Sequence, residues 1–569
     1  MSPPRPFLDR VADLPQAVPL GAAMALYLGL SLWAMAGESA TFDEAIHLSA
    51  GYTHLVGRDF RMNPEHPPLA KVLSAVPLAF LRVREPADRS DWAAARQGAF
   101  GYRLLYQSGN DPDRLLFWAR IPTLFWGLLL IGTVYALSRE LYGPRGGLIS
   151  LVLAAACPTL LAHGHLVTTD VAVTALLLLV LAAFRRLTEE ATIGRSLACG
   201  VLLGGAMTAK YSAAILVPVL GGLGILAWLR VRTAAALARA WLRRVVCAGL
   251  LVYAALTTVW AVYDFRSSMT PDGSRELAVE SSGPLGLASA RRILPAGYLV
   301  GFAQVQEHSS QGHPAYALGA HSDRGWPWYF PFAFLVKTPL PTLILMGWGL
   351  VALARRRAGG GGREDFLLVP LIVYWVLSIS SGLNIGVRHL LPVLSLSTVI
   401  AGGVLRPEDE GRPGVLKRRG VVALLGGTLA SVLAASPYFL PYFNEAALVA
   451  AERHDLLADS NLDWGQDLAR LKRHLDREGI AKVKLGYFGD ASPRQLGLVH
   501  EVLPGSHNYT LYEAEWLPAM GVAPGDWVAV SASSFAGLGL EDPEYYRRVL
   551  GSLRPAARIG RSILLYRIP

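Results

Sequence analysis

The sequence predicts a polytopic α-helical membrane protein carrying an extracytoplasmic C-terminal α/β domain. Of its 569 residues, 52% are hydrophobic and only 17% charged, with a mean hydropathy of +0.35, whereas a soluble domain carries about 25% charged residues. Apolar runs of span length fall at 14–36, 118–138, 146–164, 168–184, 196–209, 211–229, 244–262, 331–354, 366–381, 388–405 and 420–440, which makes about 11 transmembrane helices. Alternate connections between these runs are short and rich in arginine.

The first run has full span length and follows a Pro-, Arg- and Asp-containing start, so it has the pattern of an anchor and not of a cleavable signal. The basic connections hold Arg139 and Arg145; Arg185, Arg186 and Arg195; Arg230, Arg232, Arg239, Arg243 and Arg244; Arg355, Arg356, Arg357 and Arg363; and Arg406, Arg412, Lys417, Arg418 and Arg419. The positive-inside bias places them in the cytoplasm with the N-terminus. An odd number of spans then puts the C-terminal region outside. This topology accounts for the net charge of +10 without nucleic acid, because the arginines are not interleaved with aromatics on one face. Cys157, Cys199 and Cys247 all lie in apolar runs, so neither a disulfide framework nor a cysteine metal cluster is expected. The Gly359–Gly362 run follows no strand and is expected to be a linker, not a phosphate-cradling loop.

The expected organisation is a transmembrane domain over 1–440, with large external loops at 37–117 and 263–330, and a soluble domain over 441–569. Within the latter, 456–478 has the pattern of an amphipathic helix, and 482–489, 527–533 and 562–568 have that of strands.

The chemically able groups gather on the outer side. Asp43 and Glu44 stand where the first span ends, Glu65, His66 and Lys71 follow, and His165, Asp170, Lys210, Arg388 and His389 lie at outer helix ends. Ionisable groups at a membrane surface are costly to hold there without a use. Carboxylates beside cations suit displacement of a phosphate leaving group. One carboxylate removes a proton from an attacking hydroxyl, an effect of about 10²–10⁴-fold, while Lys and Arg neutralise the departing phosphate. Arg388 can grip phosphate through its planar fork. Each residue also has a plainer reading. A cation at a helix end snorkels to headgroups, and Glu44 can serve as a first-turn acid of the next helix. Asp459, Asn461, Asp463, Trp464 and Asp467 could bind carbohydrate or a cation, but the start of an N-capped helix is favoured. A lipid or sugar transporter (a flippase) is the alternative function. It would place ionisable residues at mid-membrane in repeat-related helices, and no internal repeat is visible. A recognition module on a membrane anchor ranks last, since so many spans exceed what anchoring requires.

The segments FDEAIHLSAGY (42–52), NPEHPPLAK (63–71), HGHLVTTD (163–170), TAKYS (208–212), HPAYALG (313–319), GWPWYFPFAFLVKTPLP (325–341), NIGVRHLLP (384–392), YFNE (442–445) and DSNLDWGQDL (459–468) carry a resemblance. The sequence resembles the bacterial protein O-mannosyltransferase-like and aminoarabinose-transferase-like family of integral-membrane (GT-C type) glycosyltransferases. The resemblance implies an inverting enzyme that takes a sugar from a polyprenyl-phosphate carrier to a hydroxyl acceptor, set among membrane lipids in the bacterial cytoplasmic (inner) membrane. It implies Asp43 as general base, with Glu44 and Asp170 as catalytic partners. Lys71, Lys210 with its neighbour Tyr211, and Arg388 fall where relatives contact the lipid phosphate. His165, Lys337, His389 and His313 are further substrate-binding candidates. Glu65 and His66 match the region that helps form a metal site in aminoarabinose-transferring relatives, which implies a divalent cation there. The resemblance ends near residue 470 and names neither sugar nor acceptor.

Overall fold

The computed structural model describes residues 7–230, 234–273, 291–358, 364–406, 414–506, 509–513 and 521–569. Among the described residues seven helices are long and apolar enough to cross a membrane, and a pair bent by 116°, Tyr329–Lys337 and Leu340–Arg357, makes an eighth when taken as one broken span. Pro68–Phe80, Ile193–Ala209 and Asp365–Ser380 are shorter apolar helices. The chain is a multi-pass membrane protein.

The difference between eight and the expected 11 has a physical cause. Pro112–Ala155 is assigned as one stretch of 44 residues, about twice what a bilayer core needs. Gly143 interrupts it at φ 77°, ψ −176°, and the hydroxyl of Ser150 donates to that of Ser138 at 2.8 Å. Twelve residues of straight helix would hold those hydroxyls about 18 Å apart, so the chain folds back into two antiparallel spans. Two more runs form Ile193–Ala209 and Asp365–Ser380, of 17 and 16 residues. Each apolar run of the sequence therefore lies on a helix. Gly200 and Gly204 let Ile193–Ala209 approach the span Trp241–Val262 closely, since a Cβ there would stand 2.3 Å from the Leu251 carbonyl and 2.5 Å from that of Ala255.

The basic connections share one side of the bundle, held there by a few acids. Asp9 binds both Arg145 and Arg418, Glu140 binds Arg185 and Arg186, Glu364 binds Arg356 and Arg406, and Asp365 binds Arg230 and Arg357.

On the opposite side, β1 (Ala315–Ala317) and β2 (Ala320–Ser322) form a hairpin. The C-terminal region builds a five-stranded sheet from β3 (Val483–Gly486), β4 (His500–Val502), β5 (Trp527–Ser531), β6 (Ala557–Ile559) and β7 (Ile563–Arg567), in the order β4-β3-β5-β7-β6. β3 pairs parallel with β4 and β5, while β7 pairs antiparallel with β5 and β6. The three expected strands contain β3, β5 and β7; β4 and β6, three residues each, have too short a pattern to stand out. The sheet shares its core with the 37–117 segment: Leu48, Phe100 and Leu105 pack in one cluster with Leu471, Leu485 and Ile563.

The expected helix over 456–478 is corrected. Only Leu468–Arg477 is a regular α-helix, burying Leu468, Leu471 and Leu475. The residues before it leave helical geometry because their polar groups bond to other segments, as described below. The Gly359–Gly362 run and residues 274–290 of the 263–330 loop lie outside the described residues.

Candidate active site

Four distant segments meet at the helix ends opposite the basic connections. Asp43 precedes helix Glu44–Gly57, Asp170 opens helix Asp170–Glu189, and Lys210 follows Ile193–Ala209 in extended backbone. Arg388 and His389 lie in the 3-10 turn Val387–Leu390. Arg388 Nη1 donates to Asp43 Oδ2 at 2.9 Å and stands 4.0 Å from Asp170 Oδ2. Lys210 Nζ donates to Asp170 Oδ1 at 2.6 Å. The guanidinium lies over the Trp464 ring, 4.1 Å from its centroid, a cation–π contact that also fixes the plane of the fork. Arg388 Nε is buried without a hydrogen-bond partner.

Part of this cluster borders a cavity of about 320 Å³; Asp43 and Trp464 are not among the residues that line it. Asp170, Lys210, Arg388 and His389 supply its polar part, while Val173, Ile215, Phe330, Leu377 and Pro392 give it apolar walls; Tyr211 lines it as well. The two carboxylates differ in access, with 25% of the Asp43 side chain exposed against 5% for Asp170. Asp170 is paired with Lys210, and Asp43 is the more accessible of the two.

The remaining sequence candidates have other partners. Glu44 is fully buried and accepts from Arg120 Nε at 2.8 Å and Nη2 at 2.6 Å, from the Thr41 amide at 2.9 Å and from the Val167 amide at 3.0 Å. Burial pushes this carboxyl up, but Arg120 and the amides outweigh it and hold the group below its ordinary value. Glu44 therefore joins the 37–117 segment to the second span and to the turn before Asp170, with no lone pair left for substrate. Lys71 is also buried; its ammonium donates to the Asn63 carbonyl at 2.7 Å and side-chain oxygen at 3.1 Å and does not border the cavity. Lys337 donates to the Leu440 carbonyl at 2.8 Å and to that of Asn461, over the Phe443 ring, and so clamps backbone. His165 bridges the Leu161 carbonyl at 2.8 Å and Glu38 Oε2 at 2.7 Å. His313 contacts the Pro314 carbonyl through Nδ1 at 2.9 Å. Tyr211 donates to the Pro64 carbonyl at 3.0 Å.

Glu65 accepts from the Gln97 amide at 2.8 Å, and the His66 ring meets that of His47 at 4.7 Å. Among the described residues no group of three His, Cys, Asp or Glu side chains is placed to hold a metal ion. Glu65 and His66 do not fit a cation site by themselves.

Two features escaped the sequence reasoning. His47, one helical turn after Asp43, binds the Val167 carbonyl through Nδ1 at 2.9 Å. Burial lowers its pKa, and the neighbouring Asp43 carboxylate only partly offsets this, so a neutral ring lies beneath the carboxylate. The i, i+4 spacing was the available signal. The other is DSNLDWGQDL, which forms a strut and not a helix cap. Asn461 Oδ1 accepts the Val387 amide at 2.9 Å, and its Nδ2 donates to the Tyr329 hydroxyl at 2.8 Å. Asp463 accepts the Ser533 amide, the Trp464 carbonyl accepts the Phe42 amide at 3.0 Å, and the Gln466 carbonyl accepts that of Ser39 at 2.9 Å. The strut thus ties the Arg388 turn, the Asp43 segment and the C-terminal sheet together. Asp459 sits in it at φ 55°. Burial raises its pKa against the pull of Arg388, so Arg388 faces a third carboxyl.

Residues 114–263 match the dolichyl-phosphate-mannose-protein mannosyltransferase family. The match spans about a quarter of the chain and includes Asp170 and Lys210; Asp43 and Arg388 lie outside it. No curated protein matches the chain. Among solved structures, ArnT from Cupriavidus metallidurans bound to undecaprenyl phosphate aligns at 15% identity, covering 97% of this chain and 98% of that one, with a TM-score of 0.47. The Archaeoglobus fulgidus oligosaccharyltransferase in its apo form aligns at 11% identity over 74% of this chain and 55% of its own, with a TM-score of 0.49.

Proposed function

We propose that the chain is an integral-membrane glycosyltransferase that moves a sugar from a polyprenyl-phosphate carrier to a hydroxyl acceptor. It would act on the extracytoplasmic face of the bacterial cytoplasmic membrane and invert the anomeric centre. The observation that carries this reading is the cavity in which Lys210 and Arg388 face Asp170, beside Asp43, within apolar walls between helices. The family matched by residues 114–263 is described by a polyprenyl-phosphate sugar donor, which supports the donor class.

In this reading the donor phosphate lies between Lys210 and Arg388, whose buried Nε offers a spare donor, and the first isoprene units lie along Val173, Ile215 and Leu377. The acceptor hydroxyl attacks the anomeric carbon from the face opposite the phosphate. Asp43 takes its proton as the new C–O bond forms and the bond to the phosphate oxygen breaks. The charge left on the polyprenyl phosphate is neutralised by the two cations in a site drier than bulk water. Asp170 fixes Lys210, and Trp464 fixes the Arg388 plane.

Transfer from radiolabelled polyprenyl-phosphate sugars in membranes, comparing wild type with Asp43→Asn, tests the reading. The substitution keeps the shape and removes the base, and a loss of about 10²–10⁴-fold is expected. Equal labelling by both proteins would remove Asp43 from the role.

A further inference from the structure

A second cationic site lies away from the cavity, where two span ends meet the C-terminal region. A groove of about 750 Å³ runs between the ends of Ala17–Met35 and Val415–Ala435 and is roofed by helix Leu468–Arg477 and strand β6. Trp33, Tyr438, Arg470, Arg473, His474 and Arg477 are among its lining residues. Arg470 and Arg558 are compensated: Arg470 by Asp467 and Glu38, Arg558 by Glu452 in a double contact of 2.6 and 2.9 Å. Among the described residues Arg473 and Arg477 have no acidic partner; Asp476, which also lines the groove, pairs with Lys472. Arg473 donates to the Gly37 and Ala469 carbonyls at 3.1 and 3.2 Å, and Arg477 to the Arg473 carbonyl at 3.3 Å.

Arg561, which among the described residues also has no acidic partner, stands next to the groove against Tyr438. It sits in the β6–β7 turn at φ 72°, a left-handed conformation that disfavours any residue but glycine. There it stacks over Tyr438 at 5.3 Å and donates to the Ala434 carbonyl at 3.1 Å. Its pKa is lowered by burial, as expected of a cation lacking its anion. Below the arginines the surface is apolar and open: Leu32, Trp33 and Leu433 are 40%, 57% and 54% exposed. Cationic groups above an apolar, lipid-facing wall at an aromatic belt match a headgroup phosphate with its acyl chains. These arginines stand at the span ends opposite Arg145 and Arg418, so the bias that gathers arginine in the basic connections does not explain them.

We propose that this groove binds the phosphate headgroup of an anionic membrane lipid at Arg473, Arg477 and Arg561, separately from the cavity that holds Arg388. The site serves a phosphate monoanion or dianion carried on acyl chains; free phosphate shares the headgroup chemistry but lacks the apolar part.

The test uses the full-length protein in a neutral detergent. Dioleoyl phosphatidylglycerol or dioleoyl phosphatidylcholine is added, and retained lipid is counted by native mass spectrometry. Wild type is compared with Arg473→Gln/Arg477→Gln, whose side chains are exposed enough to keep the fold, and thermal unfolding verifies that it does. The wild type should retain phosphatidylglycerol over phosphatidylcholine, and the double variant should lose roughly 25-fold in affinity, about fivefold per arginine. Donor-dependent sugar transfer in the same variants separates this site from the proposed catalytic one, because loss of lipid retention is scored whether or not transfer occurs. Equal retention of both lipids, or of phosphatidylglycerol by both proteins, would overturn the proposal. Displacement of the lipid by an equal concentration of inorganic phosphate would assign the groove to free phosphate and overturn the lipid.

Discussion

Asp43 and Glu44 are adjacent acids with opposite expected roles, and Glu44→Gln separates them. The wild-type Glu44 carboxylate forms two short bonds with a guanidinium that is itself 2% exposed. Glutamine keeps the volume and one acceptor oxygen but turns an amide N–H₂ toward Arg120, which stays buried and charged. Breaking one side of a buried ion pair costs about 3–5 kcal/mol. Because the retained oxygen can still accept one amide, the low end, ~3 kcal/mol, is expected. Adding Arg120→Met removes the stranded charge and should restore a large part of that loss, so the two substitutions should be strongly non-additive. The assay is thermal unfolding of the detergent-solubilised protein, followed by tryptophan fluorescence, for wild type, both single variants and the double variant. Sugar transfer is measured per folded molecule alongside. Stability should fall while transfer per folded Glu44→Gln molecule stays within a few-fold of wild type. A variant as stable as wild type but slowed about 100-fold would refute the structural role and put Glu44 in the chemistry.

Other consequences can be checked on the same preparations. Burial lowers the Lys71 pKa from 10.5 to about 7. Between those values the unfolded chain binds the extra proton, so this residue makes stability rise from pH 7 to 10.5 and lose that contribution as pH falls through 7. Lys71→Met should flatten that slope in pH-dependent unfolding; an unchanged slope would contradict the burial. Asp463 is the reverse case, raised by burial to about 7, with stability fullest below its unfolded value and lost as pH rises through 7. Asp463→Asn should therefore remove the decline between pH 4 and 7. Gly51→Ala would put a Cβ 2.1 Å from the Lys71 carbonyl oxygen, forcing helices Glu44–Gly57 and Pro68–Ala75 apart at a cost of about 1–3 kcal/mol, visible as an unfolding shift that Ser49→Ala would not reproduce.

The sequence by itself determined where the chain is apolar enough to be helical in a membrane. That property is local: each span is a contiguous run whose composition suffices, and the arginines that flank the runs sort them by side. It also marked Asp43, Asp170, Lys210 and Arg388, since a polar group at a span end is conspicuous against its neighbours. It also separated the two spans within Pro112–Ala155, since the runs at 118–138 and 146–164 flank a connection with Arg139 and Arg145; what it could not show is that the reversal is made at Gly143, one of 57 glycines, by a single positive φ. Nor could it show that Lys210 borders the cavity while Lys71 does not, or that Glu44, unlike the adjoining Asp43, is wholly taken up by a buried ion pair. Those assignments depend on partners 40 to 345 residues away, namely Asp170 for Lys210, Arg120 for Glu44 and Arg388 for Asp43. The DSNLDWGQDL stretch gave the most misleading local pattern. Its spacing suits a helix cap, but its donors and acceptors are taken by the bundle, the 37–117 segment and the C-terminal sheet together. Only the tertiary structure decides which of several possible partners each buried polar group meets, and a buried group left unpaired is too costly for the choice to be arbitrary.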